Sequence, residues 1–383
     1  MKNYDVLIIG AGSVGTILSY WLAKRGLKTA VVEKNAAPGR GEHRAAIGGV
    51  RATHSDPAKI KIGLRSLEFL RRLETEFGYD LDYIEGGYLF PAYSETTANK
   101  LKSLLAVQKA QGLNIDWIGS EEVARLVPGI REEGLLGGTY SPQDGHLSPL
   151  KLASVCYRMA LSVGVDFYFR TTVLGFAIDK GKITAVKTDG PVFSAGLVIN
   201  AAGSNARQIG QLLGVDLPVI PDAHEAGVTD QVERFFNPMV VDIEPSADSE
   251  NYYFYQAKDG AVLFCITPKP KRIGETSAST SEFLPMVVPR LLRIYPRLGH
   301  LRVRRVWRGM YPGTPDDRPI VGFDREVEGM FHAVGMCGQG LMLGPGLGEL
   351  IADYVTGSLQ PEDESVFEQL SPYRDFSGQE LLR

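Results

Sequence analysis

Cysteine is scarce in this chain. Cys156, Cys265 and Cys337 are the only three among 383 residues, and they stand far apart. No C-x-x-C pair exists, which argues against a dithiol redox centre and a zinc site, and no cysteine cluster is available for an iron–sulfur centre. The odd, sparse count fits a reducing compartment. Long apolar runs are missing too. No stretch of about eighteen apolar residues occurs, so no spanning helix is expected. The glycine-rich region around 333–355 comes nearest, and polar residues interrupt it. Like charges never run in a block and the net charge is −4, so nothing points to nucleic acid or an anionic membrane surface. There is no internal repeat and no low-complexity tract. The first apolar strand starts almost at Met1, leaving no room for a cleavable signal peptide. These absences lead to the expectation of a cytoplasmic protein, with peripheral membrane association left open. The length suffices for two domains with substantial cores.

What is present begins at once. DVLIIG is a short β-branched run that reads as a buried parallel strand. Gly10, Gly12 and Gly15 follow in G-x-G-x-x-G spacing. Gly10 allows the tight turn, Gly12 lets backbone approach a pyrophosphate, and Gly15 lets the helix pack close to the strand. TILSYWLAKRG reads as that helix, and its N-terminal amides favour phosphate charge. LKTAVVE is the second strand, ending on Glu33. That carboxylate can accept from both hydroxyls of a ribose and would repel a 2′-phosphate. NADP is disfavoured; NAD and FAD both fit this unit. The motif alone is weak, but with strand, helix, second strand and terminal acid in place it is strong.

Further along, KNAAPGRGEHRAAIGGVRATHSDPA is a long loop, of the kind that is usually functional. Helical periodicity marks AKIKIGLRSLEFLRRLETEFG, TTANKLKSLLAVQKAQG and PLKLASVCYRMALSVG. GGYLFPAY reads as a strand, VDFYFRTTVLGFAIDKGKITAVKTDG as strands with a hairpin, and LVINAAGSNA as a strand running into a glycine turn. From about 215 to 306 the pattern is mostly strands. The end reads as a strand, a glycine loop (GMCGQG) and a last helix with Pro345 in its first turn. The layout suggests a nucleotide domain in three segments, 1–84, 145–214 and 307–383. A mixed β-rich domain, 85–144 and 215–306, is inserted between them, with the substrate where the two meet.

Two facts decide for FAD. There is one dinucleotide fingerprint, whereas a flavoenzyme reduced by NAD(P)H usually needs a second. The substrate itself is then the electron source. Two more glycine turns follow strands, at Gly203 and at 335–340, and a long flavin needs several close backbone approaches. The last helix would aim its N-terminus at the glycine loop and stabilise negative charge on a reduced flavin by about 1 kcal/mol.

At WRGMYPGTPDDRPIVG and HAVGMCGQGLMLGPGLGELIADYVTG the chain resembles the C-terminal half of the D-amino-acid oxidase/sarcosine oxidase superfamily. YSPQDGHLSP, VINAAG and the GGVR loop continue the likeness over nearly the whole chain, with the inserted domain weakest. The β subunits of proline dehydrogenase and of heteromeric sarcosine oxidase are the most similar members. The resemblance implies an α/β and α+β fold: a Rossmann-like FAD-binding domain with an inserted mixed β-sheet substrate domain. It implies hydride transfer from a Cα–N or N-methyl carbon to flavin N5, giving an imine that water hydrolyses. It also implies a possible hetero-oligomer with other redox subunits.

The departures from the family carry information. Monomeric sarcosine oxidases attach FAD through the cysteine of a C-M-Y motif. Here the stretch is Gly309-Met310-Tyr311, so noncovalent FAD is expected. His43 is the one residue that could recreate the histidine link of some relatives, in different surroundings. The lysine that promotes reaction with oxygen falls near Phe264, which favours a dehydrogenase. A second lysine, which holds the substrate carboxylate, falls on Met342.

By the same resemblance, Arg51 binds the substrate carboxylate, as a guanidinium suits two parallel bonds. Tyr253 and Tyr255, on one face of a strand that also holds Tyr252, wall the pocket. His54 and His224 are candidates for polar contacts near the amine; neither is assigned an acid–base role. His146, His300 and His332 default to structure, and Asp316 to stabilising the TPD turn between Arg308 and Arg318. The flavin-holding set is Gly10, Gly12, Ser13, Val14, Gly15 and Glu33 from the first unit, and Lys34, Arg44, Ala45 and Gly48 from the following loop. Val173, Ala202 and Gly203 come from the middle of the chain, and Gly309, Gly335, Gly338, Gly340, Leu341 and Met342 from its last part. Met336 borders the same loop. No metal is expected.

The leading expectation is an FAD-dependent dehydrogenase of an amino or imino acid, such as proline, hydroxyproline or a sarcosine-like substrate. The alternatives are a 2-hydroxy acid or glycerol-3-phosphate-type dehydrogenase, and a flavin-holding subunit of a heteromeric complex. The electron acceptor is left unknown.

Overall fold

The computed structural model describes residues 1–274 and 278–382. Its first sheet grows around the opening apolar run. Lys2–Ile9 buries its last four residues and pairs in parallel with Thr29–Glu33 on one side and Phe193–Asn200 on the other. Covered on both faces, it has no need of alternating polarity. The order across the sheet is Ile320–Phe323, Met330–Val334, Phe193–Asn200, Lys2–Ile9, Thr29–Glu33, Asp166–Phe169. The hairpin Val173–Asp179 and Lys182–Thr188 joins it through Phe193–Asn200.

Three helices cover one face together. Pro57–Thr75 begins where sequence chemistry says it should: Asp56 caps it by accepting from the Lys59 N–H at 3.0 Å, with proline in the first turn. Gly340–Thr356 lies close against Gly15–Lys24 and Pro57–Thr75. A Cβ at Gly344 would stand 2.5 Å from the Ser13 carbonyl oxygen, and one at Gly346 2.4 Å from that of Ile62. The expected start of this last helix needs correction. It begins at Gly340, so Pro345 sits in the second turn, where side-by-side packing outweighs the lost backbone bond.

The second sheet runs Val303–Gly313, Ile220–Gln231, Ala261–Pro268, Ser249–Gln256, Met239–Asp242, Tyr88–Ala92, Gly137–Ser141, Asp116–Ile118. Its neighbours are antiparallel except Met239–Asp242 with Tyr88–Ala92. Alternation sorts its two faces. Tyr252, Phe254 and Phe264 enter an aromatic core under the helix Phe283–Ile294, while Tyr253 and Cys265 face a cavity.

Two further expectations change here. The 215–306 stretch contains that helix among its strands. Val303–Gly313 pairs along its length with Ile220–Gln231 and lies wholly in the second sheet, so a boundary at 307 would cut a strand. The glycines that suggested the cofactor region lie at the strand's far end, which blurred the division. Among the described residues no helix is long and apolar enough to cross a membrane.

Candidate active site

The carboxyl ends of the parallel strands face the inner surface of the second sheet across a cavity of about 1090 Å³. Its first wall is backbone. Gly10 adopts φ +110°, and a Cβ there would stand 2.6 Å from the Ala201 carbonyl oxygen. A Cβ at Gly12 or Gly203 would meet nothing within 4 Å. Gly10, Gly12, Ser13 and Val14 line the cavity. Gly15 stands behind them, where a Cβ would fall 2.0 Å from the Gly10 carbonyl oxygen; it serves packing, not contact. The Glu33 carboxylate is aimed by the chain: Oε2 accepts from the Ala11 N–H at 2.8 Å, and Oε1 from the Asn35 N–H at 2.8 Å and its side-chain amide at 2.7 Å.

The remaining flavin-side residues also reach this cavity. Lys34, Arg44, Ala45 and Gly48 line it from the long loop, and Val173, Ala202 and Gly203 from the middle of the chain. Gly309, Gly335, Gly338, Gly340, Leu341 and Met342 close it, with Met336 beside them. Around Gly309 the fit is tight, since a Cβ would stand 2.5 Å from that of Ala45. Glu42 and Trp307 fix this approach. Glu42 Oε2 accepts from the Met310 N–H at 2.6 Å, and Trp307 Nε1 donates to the Ala45 carbonyl at 2.9 Å. His43 has both ring nitrogens engaged, by the Ser13 hydroxyl at 2.7 Å and the Pro149 carbonyl at 2.6 Å. Burial lowers its pKa. Gly309 has no side chain for a thioether, and both His43 ring nitrogens are engaged within the protein.

The wall suits FAD on three counts. It spans a long cavity; it has two helix N-termini, at Gly15 and Gly340, giving onto it; and the buried Ser204 Oγ and Gln339 Oε1 have no hydrogen-bond partner among the described residues.

The second wall is made of side chains. Tyr253 and Tyr311 share a hydroxyl–hydroxyl bond of 2.7 Å, and the Cys265 thiol joins them. Burial pushes both phenols far up and the thiol to about 11, so all three are neutral near pH 7. The His224 ring stacks on Tyr311 with centroids 3.7 Å apart. His224 Nε2 lies 3.2 Å from Asp222 Oδ2, and Nδ1 is buried without a partner in the cavity wall. Arg51 is 4% exposed yet borders the cavity. Its Nη1 donates to the Thr53 carbonyl and its Nη2 to that of Leu382, with the Tyr88 and Phe90 rings at 5.9 and 5.8 Å. Asp144 lies behind it, accepting from the Ala52 N–H and the Thr53 hydroxyl. Burial raises the Asp144 pKa to about 6, against those bonds and the nearby Arg51 charge.

Two expected site residues are elsewhere. Tyr255 shares the face of Tyr253, but its hydroxyl donates to the Ile47 carbonyl and its ring lies on His146, outside the cavity lining. Its strand position brings it under the Gly48 turn. His54 is buried beside Lys59 and Glu380, away from the cavity, because the chain after Arg51 turns inward. Phe264 packs on Phe283 in the opposite layer. The cavity-facing neighbour is Cys265, so that strand still presents no lysine. His146 and His332 are buried structural residues, the latter 3.0 Å from Asp324. Asp316 holds the TPD turn through Arg374 at 2.8 and 2.9 Å.

Sequence reading missed Tyr311, Asp222, Cys265, Trp307 and Glu42. Alternation along WRGMY would have put Trp307 and Tyr311 beside Gly309, and along DAH Asp222 beside His224. Nothing local marked Glu42.

Comparison with known proteins follows this geometry. The family model described as "DAO: FAD dependent oxidoreductase" matches residues 5–354. The chain is 25% identical to glycine oxidase of Bacillus licheniformis over 93% of its own length and 94% of that protein. It is 26% identical to mitochondrial sarcosine dehydrogenase of Mus musculus over 94% of its length, spanning 40% of that longer protein. Among solved structures, L-proline dehydrogenase from P. horikoshii superposes with a TM-score of 0.91 at 28% identity, covering 97% of this chain and 98% of that one.

Proposed function

Because the chain belongs to the DAO family of FAD dependent oxidoreductases, we propose that it oxidises a small amino or imino acid, of the proline, hydroxyproline or sarcosine kind. FAD when bound takes up the hydride from the carbon beside nitrogen, and the nitrogen's proton is released as the imine forms. The observation that carries this reading is the makeup of the second wall: one buried guanidinium beside a neutral aromatic surface. Arg51 binds the carboxylate. Tyr253 and Tyr311 cover the apolar body of the substrate, with Met239 and Val241 beside them. The unpartnered Nδ1 of His224 meets the amine or a water next to it, and Asp222 fixes the imidazole. No strong base is required, since hydride leaves and the amine needs only to be neutral.

FAD is held noncovalently by the glycine turns. Electrons pass to an acceptor other than oxygen: the family lysine that promotes reaction with oxygen falls near Phe264, and the cavity-facing neighbour on Ala261–Pro268 is Cys265, which carries no positive charge. Glycine oxidase, sarcosine dehydrogenase and L-proline dehydrogenase among the similar proteins support an amine-bearing substrate.

Anaerobic titration of the purified yellow protein with a panel of amino acids tests the reading. Proline, hydroxyproline or sarcosine should bleach the flavin band. Bleaching by 2-hydroxy acids or glycerol 3-phosphate instead would replace it with alcohol oxidation. No bleaching by any of them would favour a flavin-holding subunit.

A further inference from the structure

Behind Arg51 lies a buried polar cluster that hydride transfer does not use. Glu380 is 2% exposed. Its Oε1 accepts from the Ser55 N–H at 2.8 Å, the Ser55 hydroxyl at 2.6 Å and the Leu382 N–H at 3.0 Å. Its Oε2 lies 3.1 Å from Lys59 Nζ, and both side chains are fully buried. Lys59 sits in the first turn of Pro57–Thr75, a helix packed against Gly340–Thr356 on the flavin side. Two residues past Glu380, the Leu382 side chain enters the apolar cluster behind the substrate wall, with Ile47, Tyr88, Phe90, Met239 and Val241. The Leu382 carbonyl meets Arg51 Nη2 at 2.5 Å. A short strap thus runs from the flavin side to the substrate side and ends on the buried guanidinium of Arg51.

We propose that residues 380–382 position Arg51 for the substrate carboxylate. This rests on the carboxylate-binding reading of Arg51. A free arginine side chain has many rotamers, and ordering it when substrate arrives weakens binding. Here two main-chain carbonyls, of Thr53 and Leu382, fix the plane of the guanidinium between two rings. They occupy two of its five N–H bonds and leave three for a ligand. Asp144 is the competing partner. Without the Leu382 carbonyl, the guanidinium is free to turn toward that buried carboxyl and away from substrate. Glu380 acts at one remove: its bonds to Ser55 and Lys59 set where the Leu382 carbonyl lies. These are positioning residues, since neither touches substrate.

The test uses full-length flavin-bound protein carrying Glu380→Gln or Leu382→Ala, beside Arg51→Met. The probes are pyrrole-2-carboxylate, its uncharged amide, and the amino acid that bleaches the flavin. Both strap variants should keep the wild-type flavin content and a kcat within about twofold, while KM and the Kd of pyrrole-2-carboxylate rise about tenfold. The Kd of the amide should stay put, and Leu382→Met should restore carboxylate binding. Equal losses for carboxylate and amide, or loss of flavin, would make the strap a structural tie and overturn the proposal. If Arg51→Met weakens the carboxylate but neither strap variant does, the strap alone falls. If Arg51→Met leaves carboxylate binding unchanged, or the wild type ignores pyrrole-2-carboxylate, the reading of Arg51 fails and the strap proposal with it.

Discussion

The side of the cavity proposed for the flavin is walled by main chain, drawn from the turns at Gly10–Val14, Ala202–Gly203 and Gly335–Gly340. The side proposed for the substrate is walled by side chains: Arg51, His224, Tyr253, Cys265 and Tyr311, from five separate stretches of sequence. The first wall works by leaving atoms out. Its contacts come mainly from amides and from spaces where no Cβ stands, with Glu33 and His43 as ionisable side chains among them. The second works by placing single polar atoms, each held by a neighbouring side chain or main-chain carbonyl. One wall should therefore fail mainly through bulk. The other should fail through the loss of single atoms and respond to pH.

The harshest way to break the first wall is a methyl group. Gly15→Ala puts a Cβ 2.0 Å from a backbone oxygen, where nothing flexible can yield. The turn must move, and the purified variant should carry almost no flavin by its visible absorbance. Glu33→Ala is milder. It removes the carboxylate aimed by Ala11 and Asn35, and FAD should bind about 10–100-fold more weakly by fluorescence titration, as for hydrogen bonds to a charged group. A tight-binding Glu33→Ala variant would mean that the acid serves the turn and not the ribose.

The second wall is tested by single oxygens. Tyr311→Phe removes half of the 2.7 Å hydroxyl pair and leaves the buried Tyr253 hydroxyl with only the weaker Cys265 thiol. A drop of about tenfold in kcat/KM is expected, with flavin content unchanged. Equal loss of flavin would erase the distinction between the walls.

This contrast also explains what could be read from the sequence. The glycine turns and Glu33 announce themselves because their chemistry depends on local spacing: strand, turn, helix, strand, acid. All the flavin-side residues expected from spacing and resemblance reach the cavity except Gly15, whose packing role was part of the expectation. The substrate wall depends on which strands become neighbours. Tyr311 meets Tyr253 only because Val303–Gly313 and Ser249–Gln256 belong to one sheet, separated by two other strands. No local pattern carries that. Tyr255 is expected in the wall by the resemblance of its strand and by alternation, and alternation gives the face of a strand, not its distance from a cavity. His54 is a candidate for contacts near the amine, but the backbone after Arg51 carries it away from the cavity. Leu382 and Glu380 gave no signal at all, since a polar-flanked leucine far from any motif looks like loose chain.

The smallest expected effect concerns Asp144, and it sharpens the comparison through pH. Burial raises its pKa to about 6 in the folded protein, from an ordinary value of 3.8. A carboxyl raised on folding is tolerated best when protonated. Its contribution to stability is therefore fully present below about pH 4 and is lost as the pH climbs through 6. The gap of about two units corresponds to about 3 kcal/mol of order-of-magnitude cost at pH 7. Asp144→Asn cannot ionise and keeps an acceptor for the Ala52 N–H. Across a pH series, the Tm of the variant minus that of the wild type should rise between pH 4 and 6 by a few degrees and then level off. The midpoint of carboxylate-ligand binding should shift over the same range, because an ionised Asp144 competes with the ligand for Arg51. A Tm difference that is flat with pH would mean Asp144 is ionised throughout as the counter-ion of Arg51, and the substrate wall would then hold a permanent ion pair instead of an available cation.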